Sequence, residues 1–165
     1  MKNPAKAVAT YGVMLSLMLS LGFIERQFPI FPSVPGLRLG LSHAGVLFSI
    51  YYMGAPSALA LSALKSVLGG LTYAGFTGMV YSLSGGALSV ATMLALSKVS
   101  GVGFVGVSVA GAFMHTVGQL LASRALLGSW AAIFQSPILL LSSVLAGVVT
   151  GVACRGVYLR IRKGQ

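Results

Sequence analysis

The stretch FVGVSVAGAFMHTVGQLLASRALL, residues 104–127, has no charged side chain before Arg124. A helix that crosses a bilayer needs about 20 mostly apolar residues. The stretch therefore predicts a membrane-spanning helix, and it places an imidazole and an amide, those of His115 and Gln119, inside the membrane.

The composition of the whole chain points the same way. Hydrophobic residues make up 56% of the 165 residues, charged residues make up 7%, and the mean hydropathy is +0.94. Soluble domains carry about 25% charged residues. We therefore predict an all-α polytopic membrane protein, with residues 1–165 forming a single domain, and exclude a water-soluble fold.

Proline, glycine and charged residues divide the chain into six apolar stretches. Because proline and glycine end helices, we expect six transmembrane helices in one bundle. The expected spans are residues 7–24, 37–53, 57–71, 79–96, 104–127 and 133–158. The breaks are the Pro-rich loop 25–35, Gly54 with Pro56, a stretch loosened by Gly69, Gly70, Gly75 and Gly78, the segment 98–103, and a tight turn at 128–132.

Six crossings place both termini on one side of the membrane. On that side lie Lys2, Lys6, Lys98, Arg155, Arg160, Arg162 and Lys163, and opposite them lie Arg26, Arg38 and Arg124. Basic loops stay in the cytoplasm. We therefore expect a multi-pass protein of a prokaryotic cytoplasmic membrane with both termini cytoplasmic, and we interpret the N-terminal apolar run as the first span rather than as a secretory signal.

The charge balance is strongly basic, with a formal net charge of +10. In a soluble protein such a charge would favour a nucleic-acid partner. At the ends of apolar runs, basic residues instead set orientation and contact anionic lipid headgroups, so we expect the lipid bilayer and no nucleic acid as a partner. The sole cysteine, Cys154, lies in an apolar run and is interpreted as a packing residue.

Side chains for catalysis are scarce. Glu25 is the only acidic residue, and the two histidines, His43 and His115, have no acidic neighbour in the sequence. Magnesium sites need several carboxylates, and ATP hydrolysis needs a Gly-rich phosphate loop that this sequence lacks. We therefore expect no enzyme activity, no catalytic residue, no metal and no cofactor, so that any transport takes its energy from a partner or an ion gradient.

Polar side chains inside membrane spans are candidates for function because they are costly there. Lys65 lies inside the third span, and His115 and Gln119 lie one turn apart on one face of the fifth. With Arg124 and Arg38 near the outer surface, they predict an outward-opening cationic cavity for an anionic or carbonyl-rich ligand. The alternative is that Lys65 and Arg124 snorkel to the interface while His115 and Gln119 tie helices together.

Small residues form a smooth strip along the first span. Ala5 and Ala9 are four residues apart, and Gly12, Ser16 and Ser20 continue the spacing. Such strips let membrane helices approach closely. Either a neighbouring span of this chain or a helix of a partner subunit can pack against the strip.

Two tyrosines, Tyr73 and Tyr81, flank the glycines between the third and fourth spans. Aromatic rings near a membrane boundary anchor helices at headgroup level, and they can also stack on a flat ligand. Both interpretations remain open for these two residues, whereas Trp130 is interpreted as an anchor.

The order of these features resembles the substrate-binding S components of energy-coupling factor (ECF) vitamin transporters. The resemblance is to the Gx transporter family, which also carries the label heptaprenyl diphosphate synthase component I. The matching stretches are FPIFPSVPGLRLGLSHAGVL (28–47), YYMGAPSALALSALKSVLGG (51–70), SLSGGALSV (82–90) and GAFMHTVGQLL (111–121).

The resemblance implies a six-helix fold with a ligand site at the outer side. It also implies that Ala5 and Ala9 contact a membrane-embedded coupling subunit. ABC-type ATPases drive that subunit. The residues implied to bind substrate are Arg38, Lys65, His115, Gln119 and Arg124, with Glu25 and Tyr81 as weaker members.

Two functions from different classes follow. The first is an S component that captures a small organic molecule, such as a vitamin, cofactor precursor or isoprenoid-related compound, for ATPase-driven uptake. Gly40 and His43 stand where riboflavin-type S components tend to have acidic residues, which argues against a flavin. The alternative is a membrane partner of a polyprenyl diphosphate synthase or of a quinone-linked electron-transfer assembly, binding lipid or quinone without transport.

Overall fold

The computed structural model describes residues 4–27, 41–127 and 136–163. Within these ranges the chain is helical and contains no strand, so the predicted all-α class is confirmed there. The elements are α1 (Pro4–Gln27), α2 (Leu41–Tyr52), α3 (Ala55–Gly69), a π-helical segment (Gly70–Ala74), α4 (Gly75–Leu96), α5 (Phe104–Leu127) and α6 (Ser136–Lys163).

Each predicted apolar stretch coincides with one of these helices, although the bounds differ. Helix α5 begins and ends where the sequence predicts, whereas α6 continues through the basic tail to Lys163. The first residues of the predicted second span, 37–40, lie outside the described residues.

Four helical stretches among the described residues are long and apolar enough to cross a membrane, which indicates a membrane protein. They are Ala5–Gln27, Ala55–Leu96, Phe104–Leu126 and Pro137–Lys163. Helices α2 and α3 measure only about 18 and 23 Å at 1.5 Å per residue, short of the roughly 30 Å hydrocarbon core. Helix length alone therefore does not show six crossings.

The stretch Ala55–Leu96 is not one straight rod, because the chain reverses at the π-helical segment. The Gly75 N–H donates to the Gly70 carbonyl, and Gly75 has a φ of 72°, which glycine adopts without strain. The Ser66 and Ser82 hydroxyls then meet at 2.8 Å, so α3 and α4 lie side by side and antiparallel. The expectation that glycines loosen the chain here is corrected: they allow a tight helical reversal.

Two further turns among the described residues follow the sequence prediction. Gly54 has a φ of 91° and is followed by Pro56 in the first turn of α3, where a proline is tolerated. Gly101, with a φ of 95°, lies between α4 and α5. These short turns make successive helices α2 to α5 antiparallel, as α3 and α4 already are.

One end of the bundle, here called the aromatic end, gathers the end of α2, the start of α5 and the end of α6. The Tyr51 and Phe104 rings stack with centroids 4.0 Å apart, and the Tyr158 ring lies 5.0 Å from that of Phe104. The basic tail of α6 follows Tyr158 directly. The opposite end, called the cavity end, holds the C-terminus of α1, the start of α2 and the π-helical segment.

The apolar core lies towards the aromatic end. Its buried members are Met18, Val46, Leu47, Ile50, Ala58, Leu61, Val90, Met93, Val107 and Cys154. The Cys154 thiol donates a hydrogen bond to the Ala44 carbonyl at 3.0 Å, which confirms Cys154 as a packing residue.

Glycines bring the helices of the second half of the chain into backbone contact. A Cβ added at Gly118 of α5 would lie 2.7 Å from the Gly85 Cα of α4. On α6, a Cβ at Gly147 would lie 2.6 Å from the Val109 Cα. In lipid, the hydrophobic effect does not drive helices together. The van der Waals contacts that this close approach allows therefore stabilise the helix pairs.

Candidate functional site

A cavity of about 60 Å³ lies between the helices at the cavity end. At roughly 15 Å³ for each water, it holds about four water molecules. Helices α1 to α6 and the π-helical segment all contribute to its lining, mostly with small and hydroxyl-bearing residues. Among the described lining residues, the charged, imidazole and amide side chains are those of Glu25, His43, Lys65, His115 and Gln119.

Two formally charged side chains of opposite sign lie in this cavity. Glu25, the only acidic residue of the chain, and Lys65 are each only 8% exposed. Burying a charge is costly unless the protein compensates it. Since protein surrounds Lys65, the interpretation that this side chain snorkels to the membrane surface is wrong.

Two imidazoles from different helices meet in the cavity. The rings of His43 on α2 and His115 on α5 have centroids 4.0 Å apart and an interplanar angle of 61°. His43 is 7% exposed. Because the two histidines are 72 positions apart in the sequence, only the packing of α2 near α5 brings the two rings together.

Gln119 orients the His115 ring. Its amide nitrogen Nε2 lies 3.0 Å from His115 Nε2. When the amide nitrogen donates, His115 Nε2 is the acceptor and the neutral imidazole carries its proton on Nδ1. A Cβ at Gly85 would lie 2.6 Å from that Nδ1, so a glycine at this position of α4 is what makes room for the ring.

The face of α5 that lines the cavity follows helical periodicity. Ala112, His115, Thr116 and Gln119 all line it, at the spacing of one helix face. Arg124 lies five residues past Gln119, about 140° away around the helix axis. It is half-buried and is not part of the lining.

Of the predicted site residues, the structure brings Glu25, Lys65, His115 and Gln119 together. Tyr81 is half-buried outside the lining, although its neighbour Ser82 on α4 belongs to it, because adjacent residues lie about 100° apart on a helix. Arg38 lies outside the described residues. The described lining thus carries one negative and one positive formal charge. The predicted cationic character also depended on Arg38 and stays a prediction.

Among the described lining residues that the predicted set lacks, two have ring side chains, His43 and Tyr73. His43 is a polar residue in an apolar stretch, which is the signal that sequence reasoning could have used. A Cβ added at Gly22 would lie 2.7 Å from the Tyr73 hydroxyl. The Tyr73 side chain therefore packs directly against α1. Its ring also meets that of Phe23 edge-on at 5.8 Å.

The small-residue strip of α1 faces outwards. Its members Ala5, Ala9, Gly12, Ser16 and Ser20 are all exposed. A Cβ at Gly12 would have no heavy atom within 4 Å. Among the described residues, the interpretation that neighbouring spans of this chain cover the strip is therefore wrong.

A family model described as Heptaprenyl diphosphate synthase component I matches residues 14–157. The match runs from the first half of α1 to the last turns of α6 and includes every residue that lines the cavity. No curated protein and no solved structure matches the chain.

Proposed function

The chain belongs to the heptaprenyl diphosphate synthase component I family, and on that premise we propose that it is the S component of an ECF-type transporter. In this role it captures a small organic molecule from outside the cell, such as a vitamin, cofactor precursor or isoprenoid-related compound. It crosses the cytoplasmic membrane six times with both termini inside. A membrane coupling subunit and its ABC-type ATPases supply the energy for uptake.

The observation that carries this proposal is the polar cavity at the cavity end. Ionisable side chains at membrane depth mark substrate and ion sites, because they are expensive to keep there. Glu25 and Lys65 are buried in one cavity with two imidazoles, His43 and His115. A bundle that needed only stability would fill this space with apolar side chains.

The direction of uptake is supported by the position of the basic residues. The tail of α6, with Arg160, Arg162 and Lys163, lies at the aromatic end, opposite the cavity. Basic segments stay in the cytoplasm. The cavity end therefore faces the outside, where the substrate arrives.

The exposed strip of α1 is the proposed contact with the coupling subunit. Ala5 and Ala9 are exposed and small, so a second membrane helix can approach the α1 backbone there. We also propose that the chain catalyses no reaction of its own, since one acidic residue cannot hold the magnesium ions of prenyl-diphosphate chemistry.

The decisive experiment is affinity purification from native membranes, followed by native mass spectrometry. The expected result is recovery of a coupling subunit, two ATPases and a retained small molecule. An Ala9→Phe variant should lose the coupling subunit, whereas Val149→Phe, at an exposed position of α6, should keep it. Recovery of neither subunits nor ligand would refute the proposal.

A second candidate is supported by the family description, which names one component of a heptaprenyl diphosphate synthase and so implies partner subunits. In that role the chain is a membrane partner of a polyprenyl diphosphate synthase, or of a quinone-linked assembly, and binds lipid or quinone without moving it. Co-purification with a synthase and unchanged uptake in a deletion strain would favour this role over transport.

A further inference from the structure

Helices α5 and α6 both present hydroxyl groups to the cavity. On α6, the residues Leu139, Ser142, Ser143 and Ala146 line it at the spacing of one helix face. On α5, Thr116 lines it. Ser143 is only 6% exposed, so its hydroxyl belongs to the interior of the bundle.

Glycine contacts fix the register of α6 against α5. A Cβ added at Gly151 would lie 2.8 Å from the Val105 Cα, and one at Gly147 would lie 2.6 Å from the Val109 Cα. Four residues towards the start of α6 thus correspond to four residues towards the end of α5, because the two helices are antiparallel. One further step of four brings the two serines of α6 opposite the turn of α5 that contains Thr116.

The side chains of Thr116, Ser142 and Ser143, here called the hydroxyl wall, all donate their protons to their own helices. The two serine hydroxyls donate to the carbonyls three residues earlier at 2.8 and 2.7 Å, and the threonine hydroxyl donates to the carbonyl four residues earlier at 3.3 Å. A hydroxyl has one proton and two acceptor lone pairs. Among the described residues no group donates to these three oxygens, so their lone pairs remain for a ligand.

The amide and the imidazole next to Thr116 bond to each other. The Gln119 amide nitrogen lies 3.0 Å from His115 Nε2. The other ring nitrogen, Nδ1, lies towards α4, since a Cβ at Gly85 would be 2.6 Å from it. The ammonium group of Lys65 belongs to α3. The hydroxyl wall is therefore a set of three hydrogen-bond acceptors.

We propose that the hydroxyl wall binds a primary ammonium group of the ligand. This inference rests on the proposed function, which makes the cavity a ligand site, and it names the chemical class of that ligand. A primary ammonium has three N–H donors and no acceptor, as in a lysine side chain, so it matches three hydroxyl oxygens. A carboxylate or carbonyl oxygen would bind there only if a hydroxyl proton first left its backbone carbonyl.

The formal charges of the described lining fit an amino compound that also carries an acidic or carbonyl group. Glu25 attracts the ammonium group, and Lys65 attracts an oxygen elsewhere on the same ligand. The cavity thus accepts the carbonyl-rich or anionic group expected from the sequence at Lys65, and an amino group at the hydroxyl wall.

The first test uses methylammonium as the probe and tetramethylammonium as a cation of the same charge without N–H groups. Methylammonium chloride should raise the melting temperature of the full chain in nanodiscs at neutral pH, and the effect should saturate. Tetramethylammonium chloride and sodium chloride at the same ionic strength should not. Equal stabilisation by tetramethylammonium or by sodium, or no effect of methylammonium, would overturn the proposal.

Two variants remove acceptors one at a time. Ser143→Ala should weaken methylammonium binding about tenfold, the typical effect of losing one hydrogen bond to a charged group. Thr116→Val keeps the shape of the side chain and should weaken binding by a similar factor. In the matched control Ser97→Ala, the lost hydroxyl also bonds to its own helix, at 3.0 Å, but lies outside the lining, so binding should not change. Wild-type affinity in both wall variants, or an equal loss in the control, would overturn the proposal.

The two proposals fail separately. If native mass spectrometry finds coupling subunits and a retained molecule without an amino group, transport stands and the ammonium site is refuted. If methylammonium binds with the expected variant effects but no coupling subunit is recovered, the ammonium site stands and the transporter assignment is refuted.

Discussion

The two halves of the bundle use the same helices in opposite ways. Towards the aromatic end, side chains such as Leu47 and Leu61 are fully buried and fill the interior. Towards the cavity end, the same helices surround a cavity that contains Glu25 and Lys65. The difference teaches that the packed half fixes the helix positions, and this allows the other half to hold polar groups at a stable separation.

The largest effect should come from the packed half. Leu47→Ala truncates a fully buried side chain and should lower the free energy of unfolding by about 2–5 kcal/mol, because the surrounding residues cannot fill the cavity left behind. Reversible unfolding in mild detergent measures it. In the cavity half, Ser143→Ala should change stability by no more than about 0.5 kcal/mol, since within the described part of the chain that hydroxyl donates to the Leu140 carbonyl of its own helix. Equal costs would mean that the halves are packed alike.

The next effect concerns the contact between α4 and α5 that frames the cavity. Gly118→Ala places a Cβ 2.7 Å from the Gly85 Cα, and a backbone cannot move aside as a flexible side chain can. We expect a loss of about 1–3 kcal/mol in the same unfolding assay. The matched control is Gly12→Ala, where no heavy atom lies within 4 Å and stability should not fall.

A third effect separates residues inside the cavity from those beside it. Lys65→Met should weaken ligand retention about tenfold, equivalent to about 1.4 kcal/mol, because the buried positive charge is lost. Arg124→Met should change retention less than about twofold, since that side chain does not line the cavity. Native mass spectrometry measures both.

Loss of folding must be distinguished from loss of binding in Lys65→Met. The variant leaves Glu25 as the one formal charge in the described lining, which can itself destabilise the protein. The double variant Glu25→Gln/Lys65→Met should recover stability without recovering retention. If either variant retained the ligand as well as the wild type does, Lys65 would not be a ligand-binding residue.

The smallest effect should come from removing hydrogen bonds between hydroxyl groups of neighbouring helices, one in each half. In the packed half, Ser108 and Thr150 join α5 to α6 at 2.9 Å and both are buried, so Ser108→Ala should cost about 1 kcal/mol. At the cavity, the Ser66 partner Ser82 is only half-buried, so Ser66→Ala should cost less, because water can replace the lost bond. The reverse order in the unfolding assay would contradict the division into halves.

Local features of the sequence predicted much of the fold. The bounds of α5 agree with the prediction because glycines and charged residues mark its start and its hydropathy marks its length. The pairing of His115 with Gln119 follows from helical spacing alone. The same spacing could have excluded Arg124, which lies on another face of α5.

Other features of the site could not be predicted. The meeting of His43 with His115 depends on how α2 packs near α5, and no sequence spacing encodes that distance. The reversal at Gly75 required knowing that a π-helical turn, and not an open loop, joins α3 to α4. The exposure of the α1 strip depended on which helices pack around α1.

By itself, the sequence determined that this protein is a helical membrane protein, since its charged residues are too few for a water-exposed surface and its apolar stretches suit lipid. Hydropathy and helical period are local properties, so they can be read from the sequence without knowing which helices pack together. Only the tertiary structure decided that Glu25, His43, Lys65 and His115 share one cavity while Arg124 does not. Helix packing in lipid is set by close contacts between small residues, and those contacts choose the partners of each polar side chain.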